Sequence, residues 1–276
     1  MNASPVPGRP KMRPLTEFTP ADRRAIRGVF ADIDDTLTTD GRLTGEAYTA
    51  MERLRRAGLL VVPITGRPAG WCDHIARMWP VDGVVGENGA FYFRYDPAER
   101  MMRRRFIDDA PTRAAHHARL IAIAAAIVQA VPGCAIAADQ RYRETDLAID
   151  YCEDVPRLPE TSVERIVALM AQHGLTAKVS SIHVNGWFGN YDKLTTTRLF
   201  MHERHRIDLA AERAAYVFVG DSPNDCPMFA HFPHAVGVAN IRDFEDRLAH
   251  TPAYVTSARG GAGFSQVANC LLAARN

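Results

Sequence analysis

The chain has 276 residues, of which 47% are hydrophobic and 24% charged, and its formal net charge is +1. This length can supply the core of one large domain or of two smaller ones. The nearly neutral charge argues against a dedicated nucleic-acid-binding protein, which usually carries a basic excess. Five dispersed cysteines without a CxxC pair indicate reduced thiols, not a disulfide framework or a zinc site.

The apolar stretches of the chain are short. The longest of them, Leu120 to Val131, cannot span a bilayer, which needs about 20 residues. The N-terminus has no apolar signal core, and we expect residues 1–25, which are rich in proline, to form a flexible tail. The sequence therefore predicts a cytoplasmic protein with no membrane partner, and it sets no expectation for the oligomeric state.

From about Arg27 the chain alternates between apolar runs and helical segments. The runs "RGVFADI" and "LLVVPI" end at polar residues, which is typical of buried parallel strands. Between them Ala47, Ala50, Met51 and Leu54 recur at helical spacing, so the segment predicts a strand–helix–strand unit. A second helix is expected over Ala69 to Met78. The same pattern resumes near Asp192 with a helix, the strand "AYVFVG" and further helices.

The middle of the chain has a different texture. "AFYFRYD" and "MMRRRFID" indicate a β-hairpin. Helices are expected near Thr112 to Val131 and Ser162 to His173, with strands over "TDLAIDYC" and "TAKVSSIHVNGWF". We therefore expect an α/β protein in which a parallel-sheet core, residues 26–89 and 190–276, contains an inserted α+β domain over residues 90–189.

Four polar clusters follow the predicted core strands or open a core helix. They are "DIDDT" from Asp32, "TGR" from Thr65, "YDK" with Lys193, and "GDSPND" from Gly220. Ligand sites of open α/β sheets lie beyond the carboxyl ends of the strands, so all four should meet at one rim. This set suits magnesium-dependent phosphoryl transfer, because a carboxylate can approach a phosphate dianion only where cations offset the repulsion.

The motifs DxDxT, Thr, Lys and GDxxxD, in this order, resemble those of the haloacid dehalogenase superfamily. The resemblance covers nearly the whole chain from Arg27 onward. It implies a Rossmann-like core and a magnesium-dependent phosphatase: the dehalogenating members lack the second acid, here Asp34, and need no metal, so Asp34 and the GDxxxD pair favour a phosphatase. The expected partner is a small phosphorylated metabolite, with sugar phosphates as the substrate class that the resemblance favours.

The resemblance also implies roles for individual residues. Asp32 would be the nucleophile, and Asp34 the general acid and then the general base. Thr65, the backbone of Gly66, and Asn224 would contact phosphate, while Lys193 would balance charge on Asp32 and on the phosphoryl oxygens. Arg67 is either a phosphate neighbour or a salt-bridge partner. The Mg²⁺ ligands would be the Asp32 side chain, the Asp34 carbonyl, Asp221 and, directly or indirectly, Asp225.

The position of the insertion, between Thr65 and Lys193, resembles the C2-capped branch, specifically its IIB type with two helices over a small sheet. "GENGA" from Gly86 also recurs in that branch, whereas "DKL" replaces the usual lysine–glycine pair. We expect Asp35 to be structural or solvent-facing, since the family has Gly or another small residue there. Two alternatives stay open: a hexose-phosphate mutase, which "NGWFGNYDK" loosely echoes, and a non-catalytic sensor of phosphorylated metabolites.

Overall fold

The computed structural model describes residues 11–275, which form two compact units. One unit combines residues 11–60 with residues 210–275, and we call it the split unit. The other, Val61–Leu209, is the continuous unit. The predicted α/β class, with a parallel sheet and additional antiparallel sheets, is confirmed.

The strands and helices are short and alternate along most of the chain. The strands are β1 Arg13–Pro14, β2 Gly28–Ala31, β3 Thr38–Thr39, β4 Arg42–Leu43, β5 Leu60–Pro63, β6 Val84–Gly86, β7 Phe91–Asp96, β8 Met101–Phe106, β9 Ala135–Ile136, β10 Asp146–Asp150, β11 Thr176–Val179, β12 His183–Trp187, β13 Tyr216–Gly220, β14 Val236–Gly237 and β15 Tyr254–Val255. The α-helices are α1 Pro20–Ala25, α2 Gly45–Arg56, α3 Ala69–Met78, α4 Ala110–Ala130, α5 Glu160–Gln172, α6 Lys193–His205, α7 Cys226–His231 and α8 Gly260–Leu272. Among residues 11–275, no helix has both the length and the apolar character that crossing a membrane requires.

The split unit is built on a parallel sheet whose strands follow the order β1-β15-β14-β13-β2. Strands β2 and β13 of this sheet are fully buried, as their continuous apolar sequences predict. Phe218 of β13 pairs with Phe30 of β2, and Val219 pairs with Ala31. Because the two strands run in the same direction, the residues that follow them, Asp32 and Asp221, are brought to the same end of the sheet.

Residues 11–25 do not form the predicted flexible tail; residues 1–10 of that prediction lie outside the described residues. Strand β1 pairs with β15 at the edge of the sheet, and Thr19 caps α1 by accepting a hydrogen bond from the Asp22 amide. Phe18 is fully buried and stacks on the ring of Tyr254. Pro14 lies in an edge strand and Pro20 at the first turn of a helix, two positions where the missing amide hydrogen costs little.

The continuous unit contains two antiparallel sheets. Strands β6, β7 and β8 form one of them, and β11-β12-β10-β9 is the order of the other. Helices α4 and α5 pack on the four-stranded sheet through a core that includes Ile123, Ile127, Ile166, Met170 and Val184. The predicted hairpin is present, yet it pairs with β6 and not with the four-stranded sheet. The boundaries 26–89, 90–189 and 190–276 stay a prediction.

Candidate active site

Three carboxylates form a buried cluster in the split unit. Asp32 follows β2, while Asp221 and Asp225 follow β13. Each residue offers one carboxylate oxygen, and these oxygens all lie within 4.8 Å of one another. The residues are 5%, 1% and 0% exposed, respectively, so water screens their mutual repulsion poorly. We call these three residues the carboxylate cluster.

Neighbouring groups fix the orientation of the carboxylate cluster. The Thr36 hydroxyl donates to Asp221 Oδ1 at 3.2 Å, and the Asp221 amide donates to Asp225 Oδ2 at 3.2 Å. The Asp32 amide donates to the carbonyl of Val219, which extends the pairing of β2 with β13 by one residue. A Cβ atom on Gly220 would collide with the Asp225 carboxylate. The glycine of the GDxxxD motif is therefore required by the close approach of Asp225.

The donor set of the carboxylate cluster fits a hard divalent cation. Mg²⁺ prefers oxygen ligands at 2.0–2.1 Å, and oxygens around one such ion lie about 3–4 Å apart. Three buried carboxylates so close together are costly unless positive charge is supplied among them. The residues present therefore fit a magnesium ion. Asp32, Asp221 and Asp225 could hold it through their side chains.

Asp34 and Asp35 lie outside the carboxylate cluster. Both residues are partly exposed. Asp35 has a φ of 57°, in the left-handed region that favours glycine and asparagine. Its amide donates to the Thr38 hydroxyl at 3.0 Å, and its carbonyl accepts from the Asn240 side chain at 2.8 Å. These contacts give Asp35 a structural role in the turn.

Asn224 lies in the short 3-10 helix Pro223–Asp225 and is partly exposed. Its Oδ1 accepts a hydrogen bond from the Ser222 hydroxyl at 2.8 Å, which orients the side-chain amide. With Oδ1 held by Ser222, the amide nitrogen, which is the donor of this side chain, could donate to a phosphate oxygen.

Thr65, Gly66 and Arg67, which we call the threonine turn, lie in the continuous unit. Thr65 is fully buried, and its hydroxyl oxygen accepts a hydrogen bond from the Arg67 amide at 2.9 Å. Since that hydroxyl already accepts, its hydrogen can be donated to another acceptor. The Asn88 amide donates to the Thr65 carbonyl at 3.0 Å. A Cβ atom on Gly66 would press against the Asn88 side chain, 3.2 Å from its nitrogen and oxygen.

Arg67 is a salt-bridge partner in this structure. Its guanidinium is buried and donates to Glu153 Oε1 at 2.7 Å and to Asp139 Oδ2 at 3.4 Å. The same group lies over the ring of Trp71, 4.5 Å from its centre. His183 Nε2 lies 2.9 Å from Glu153 Oε2. Burial favours a raised pKa for Glu153, but the hydrogen bonds from His183 and Arg67 prevail and lower the pKa to about 2.

Lys193 is the first residue of α6 and is buried, with 5% of its surface exposed. Asp192 caps this helix, because its side chain accepts from the Thr195 amide at 2.7 Å. The helix therefore begins at the lysine although the usual glycine is replaced by leucine. The turn Glu87–Gly89 contacts both the threonine turn and helix α6. The Asn88 amide donates to the Thr65 carbonyl, and the Gly89 carbonyl accepts from the Thr196 hydroxyl of α6.

Glu87 is a buried residue for which the sequence analysis predicts no role, although it lies within the "GENGA" motif. Its carboxylate accepts hydrogen bonds from the Ala69 amide at 2.8 Å and from the Thr145 amide at 2.7 Å. The Thr145 hydroxyl also donates to it. Burial raises the pKa of Glu87 to about 7, and the nearby Asp146 adds to this effect. Arg143 was missed as well, because only the folded chain brings this residue to the threonine turn.

The predicted site residues thus form two groups. The carboxylate cluster, with Asp34 and Asn224 nearby in sequence, belongs to the split unit. The threonine turn and Lys193 belong to the continuous unit. Within each unit the structure places these residues at strand ends or at a helix start, as the motif positions predict.

Comparison with known protein families places part of the chain in one class of enzymes. Residues 29–123 match the family of haloacid dehalogenase-like hydrolases. No curated protein sequence matches the chain. The match over residues 29–123 confirms the predicted resemblance to the haloacid dehalogenase superfamily.

Several solved structures share the fold over most of their length. A Thermoplasma acidophilum protein is 18% identical, with a TM-score of 0.67, and the alignment covers 90% of this chain and 98% of that one. The sucrose-phosphatase of Synechocystis is 15% identical, with a TM-score of 0.61 and coverage of 89% and 98%. A subclass IIB sugar phosphatase of the superfamily is 14% identical, with a TM-score of 0.59 and coverage of 88% and 98%. At these identities the likeness shows the fold alone.

Proposed function

We propose that the protein is a magnesium-dependent phosphatase that hydrolyses the phosphomonoester of a small metabolite through an aspartyl-phosphate. The observation that carries this proposal is the carboxylate cluster, in which Asp32 of the DxDxT motif lies beside Asp221 and Asp225. A carboxylate cluster of this kind, on a fold of the haloacid dehalogenase class, combines a nucleophile with the ligands of a cation.

The chemistry follows from the residue types. Asp32 attacks phosphorus and forms an acyl-phosphate, while the bond to the leaving oxygen breaks and Asp34 protonates that oxygen. Asp34 then accepts a proton from water, whose oxygen attacks the phosphorus. Inorganic phosphate leaves and the Asp32 carboxylate is restored. A bound Mg²⁺ would offset the negative charge of the phosphate dianion and of Asp32.

Thr65, Gly66, Asn224 and Lys193 are proposed to bind the phosphoryl group. For Thr65 the support is its hydroxyl, which accepts from the Arg67 amide and keeps its hydrogen for donation. For Lys193 the support is its place in the motif order, as the buried first residue of α6. Arg67 supports the turn through Glu153 instead of binding phosphate.

The proposed substrates are phosphorylated sugars. Two of the structures with the same fold are called a sucrose-phosphatase and a sugar phosphatase, and both align over nearly their whole length. The continuous unit carries the α+β layer of α4, α5 and the four-stranded sheet, which we propose to be the cap that selects the sugar.

The test is phosphate release from a panel of phosphorylated sugars and other metabolites, with Mg²⁺ and with EDTA. We expect release with Mg²⁺ only, and a loss of at least about 10³-fold in Asp32→Asn. The matched control is Asp35→Asn, because asparagine tolerates the left-handed backbone at that position; its activity should stay near that of the wild type. Release that is unaffected by Asp32→Asn would contradict the proposal. If the protein, supplied with glucose 1,6-bisphosphate, produced isomerised sugar phosphate and no free phosphate, the result would indicate a mutase.

A further inference from the structure

Arg143 lies outside the predicted motifs and binds the backbone of the threonine turn. Its Nη1 donates a hydrogen bond to the Gly66 carbonyl at 2.9 Å. Arg143 lies within the predicted insertion, residues 90–189, whereas Gly66 follows strand β5. Both residues lie in the continuous unit, and they are 77 positions apart in the sequence.

The bond to Gly66 acts on the Thr65 hydroxyl through one peptide plane. The Gly66 carbonyl and the Arg67 amide belong to the same rigid peptide group, so fixing one fixes the other. That Arg67 amide donates to the Thr65 hydroxyl at 2.9 Å. Arg143 therefore determines which way the Arg67 N–H points. Through it, Arg143 determines which direction is left for the hydrogen of the Thr65 hydroxyl.

Arg143 can perform this role because its own position is fixed. Its Nε donates to Asp139 Oδ1 at 3.0 Å, and its Nη1 donates to Asp146 Oδ1 at 3.0 Å. Asp146 in turn accepts from the Asn185 side chain at 3.0 Å. The Arg143 side chain is 1% exposed. A buried guanidinium with its donors satisfied in a fork geometry has little freedom to move.

Other contacts around Arg143 also hold the threonine turn in place. Glu153 and Asp139 bind the guanidinium of Arg67, the next residue of the turn. Glu87, whose neighbour Asn88 donates to the Thr65 carbonyl, accepts from the Thr145 amide. The region around Arg143 thus holds the threonine turn at two further points, and Arg143 is the one that acts on the peptide plane itself.

We infer that Arg143 is a positioning residue for phosphate binding: through the Gly66 carbonyl it orients the Gly66–Arg67 peptide, and thereby the Thr65 hydroxyl. This inference rests on the proposed function, because it takes the Thr65 hydroxyl as a donor to the phosphoryl group. It adds that a residue of the predicted insertion supports the phosphate-binding turn that follows strand β5.

The test compares Arg143→Lys with Arg141→Lys, which changes an exposed arginine of the same segment. Lysine keeps a positive charge beside Asp139 and Asp146, but its single ammonium cannot also replace the bond to Gly66. We expect Arg143→Lys to weaken binding of inorganic phosphate at least tenfold and to lower kcat/KM at least tenfold. The Mg²⁺ concentration for half-maximal activity should change less than twofold, and Arg141→Lys should match the wild type in every measurement.

A second measurement separates positioning from general destabilisation. Hydrogen exchange at the Arg67 amide, followed by NMR, should accelerate in Arg143→Lys more than at amides of α4 in the same unit. If Arg143→Lys does not fold, Arg143→Ala with added guanidinium ion provides the same test, because the ion should restore phosphate affinity where Arg143 acts locally.

The outcomes distinguish the inference from the proposed function. Wild-type phosphate affinity and wild-type exchange at Arg67 in a folded Arg143→Lys variant would overturn the inference while leaving phosphatase activity intact. A wild-type protein that binds inorganic phosphate but hydrolyses no substrate would contradict the proposed function alone, and the phosphate-binding comparison would still decide the role of Arg143. A wild-type protein that does not bind phosphate would overturn both.

Discussion

At the scale of single residues, the carboxylate cluster combines a stability cost with a binding function. Asp32, Asp221 and Asp225 are buried with like charges close together. Such charges repel each other when no cation is bound and attract one strongly when it is available. The same three side chains should therefore destabilise the metal-free protein and stabilise the metal-bound protein.

Because of these opposing effects, we expect Asp221→Asn to have opposite effects on the free energy of unfolding without and with magnesium. In EDTA the variant should be as stable as the wild type or more stable, by up to about 1 kcal/mol, because one of three repelling charges is removed. With Mg²⁺ at 100 times its Kd the wild type should gain about 2.7 kcal/mol, and the variant should gain much less. Urea unfolding in the two buffers measures both values.

The matched control for this prediction is Asp82→Asn, which changes a carboxylate outside the cluster that accepts a hydrogen bond from the Val61 amide. Its effect on the free energy of unfolding should be the same in EDTA and in Mg²⁺. If Asp221→Asn destabilised the protein equally in both buffers, the cluster would have a structural role and the proposed magnesium site would be wrong.

At the scale of secondary-structure elements, local patterns predicted most of the core. The helix expected over Ala69 to Met78 is α3 with the same bounds, and the strand "AYVFVG" contains β13. The catalytic candidates could be found because they follow apolar strands, and a strand end is encoded within a few residues. The polar cluster after β13 shows this directly, since Asp221 lies one residue beyond the strand.

Other features depend on partners that are distant in sequence. The pairing of hairpin β7–β8 with β6 and the attachment of residues 11–25 to the sheet edge leave no periodic signal. The same is true of Glu87 and Arg143, whose buried carboxylate and guanidinium make sense only beside Thr145 and Gly66. Isolated charged residues are usually solvent-exposed, so the sequence alone gave no reason to bury these two.

The junction between the turn Glu87–Gly89 and helix α6 gives a prediction at this scale. Gly89 has a φ of 109°, and a Cβ atom there would collide with the backbone of Asp192. Gly89→Ala should therefore lower the free energy of unfolding by at least about 3 kcal/mol, because a backbone atom cannot move aside as a flexible side chain can. Thermal or urea unfolding measures the loss.

Gly174→Ala is the matched control for this variant. Gly174 also has a positive φ, 79°, but a Cβ atom there would meet no atom within 4 Å. Its substitution should cost only the backbone strain of about 1 kcal/mol. Equal losses in the two variants would mean that the close approach of Gly89 to Asp192 contributes nothing beyond strain.

At the scale of the whole molecule, Glu87 should impose a pH dependence on stability. Its pKa rises from 4.5 to about 7 on folding, chiefly through burial. Between these values the folded state holds a proton that the unfolded state has lost. The contribution of Glu87 to the free energy of unfolding is therefore fully present below pH 4.5. It falls as the pH rises towards 7, by up to about 1.4 kcal/mol per pH unit.

Urea unfolding at pH 5 and pH 7.5, in EDTA, measures this effect in the wild type and in Glu87→Gln. The variant should be less stable than the wild type at pH 5, and the difference should narrow at pH 7.5 because only the wild type titrates. Glu164→Gln, on an exposed position of α5, should follow the wild type at both values. If the stability advantage of the wild type over Glu87→Gln grew with pH, the folded protein would stabilise the ionised carboxylate, which would contradict the prediction.

The division into two compact units makes the effect of magnesium on local stability predictable. All three residues of the carboxylate cluster belong to the split unit, and they follow its strands β2 and β13. A cation bound there stabilises the states in which those strand ends are intact, so amides that exchange only when these strands open should exchange more slowly. With Mg²⁺ at 100 times its Kd, exchange at Val217 and Val219 should slow by up to about 100-fold. Amides of α5, in the four-stranded layer of the continuous unit, should slow by much less. Asp221→Asn should abolish the difference, whereas equal slowing in both units would mean that they open as one cooperative structure.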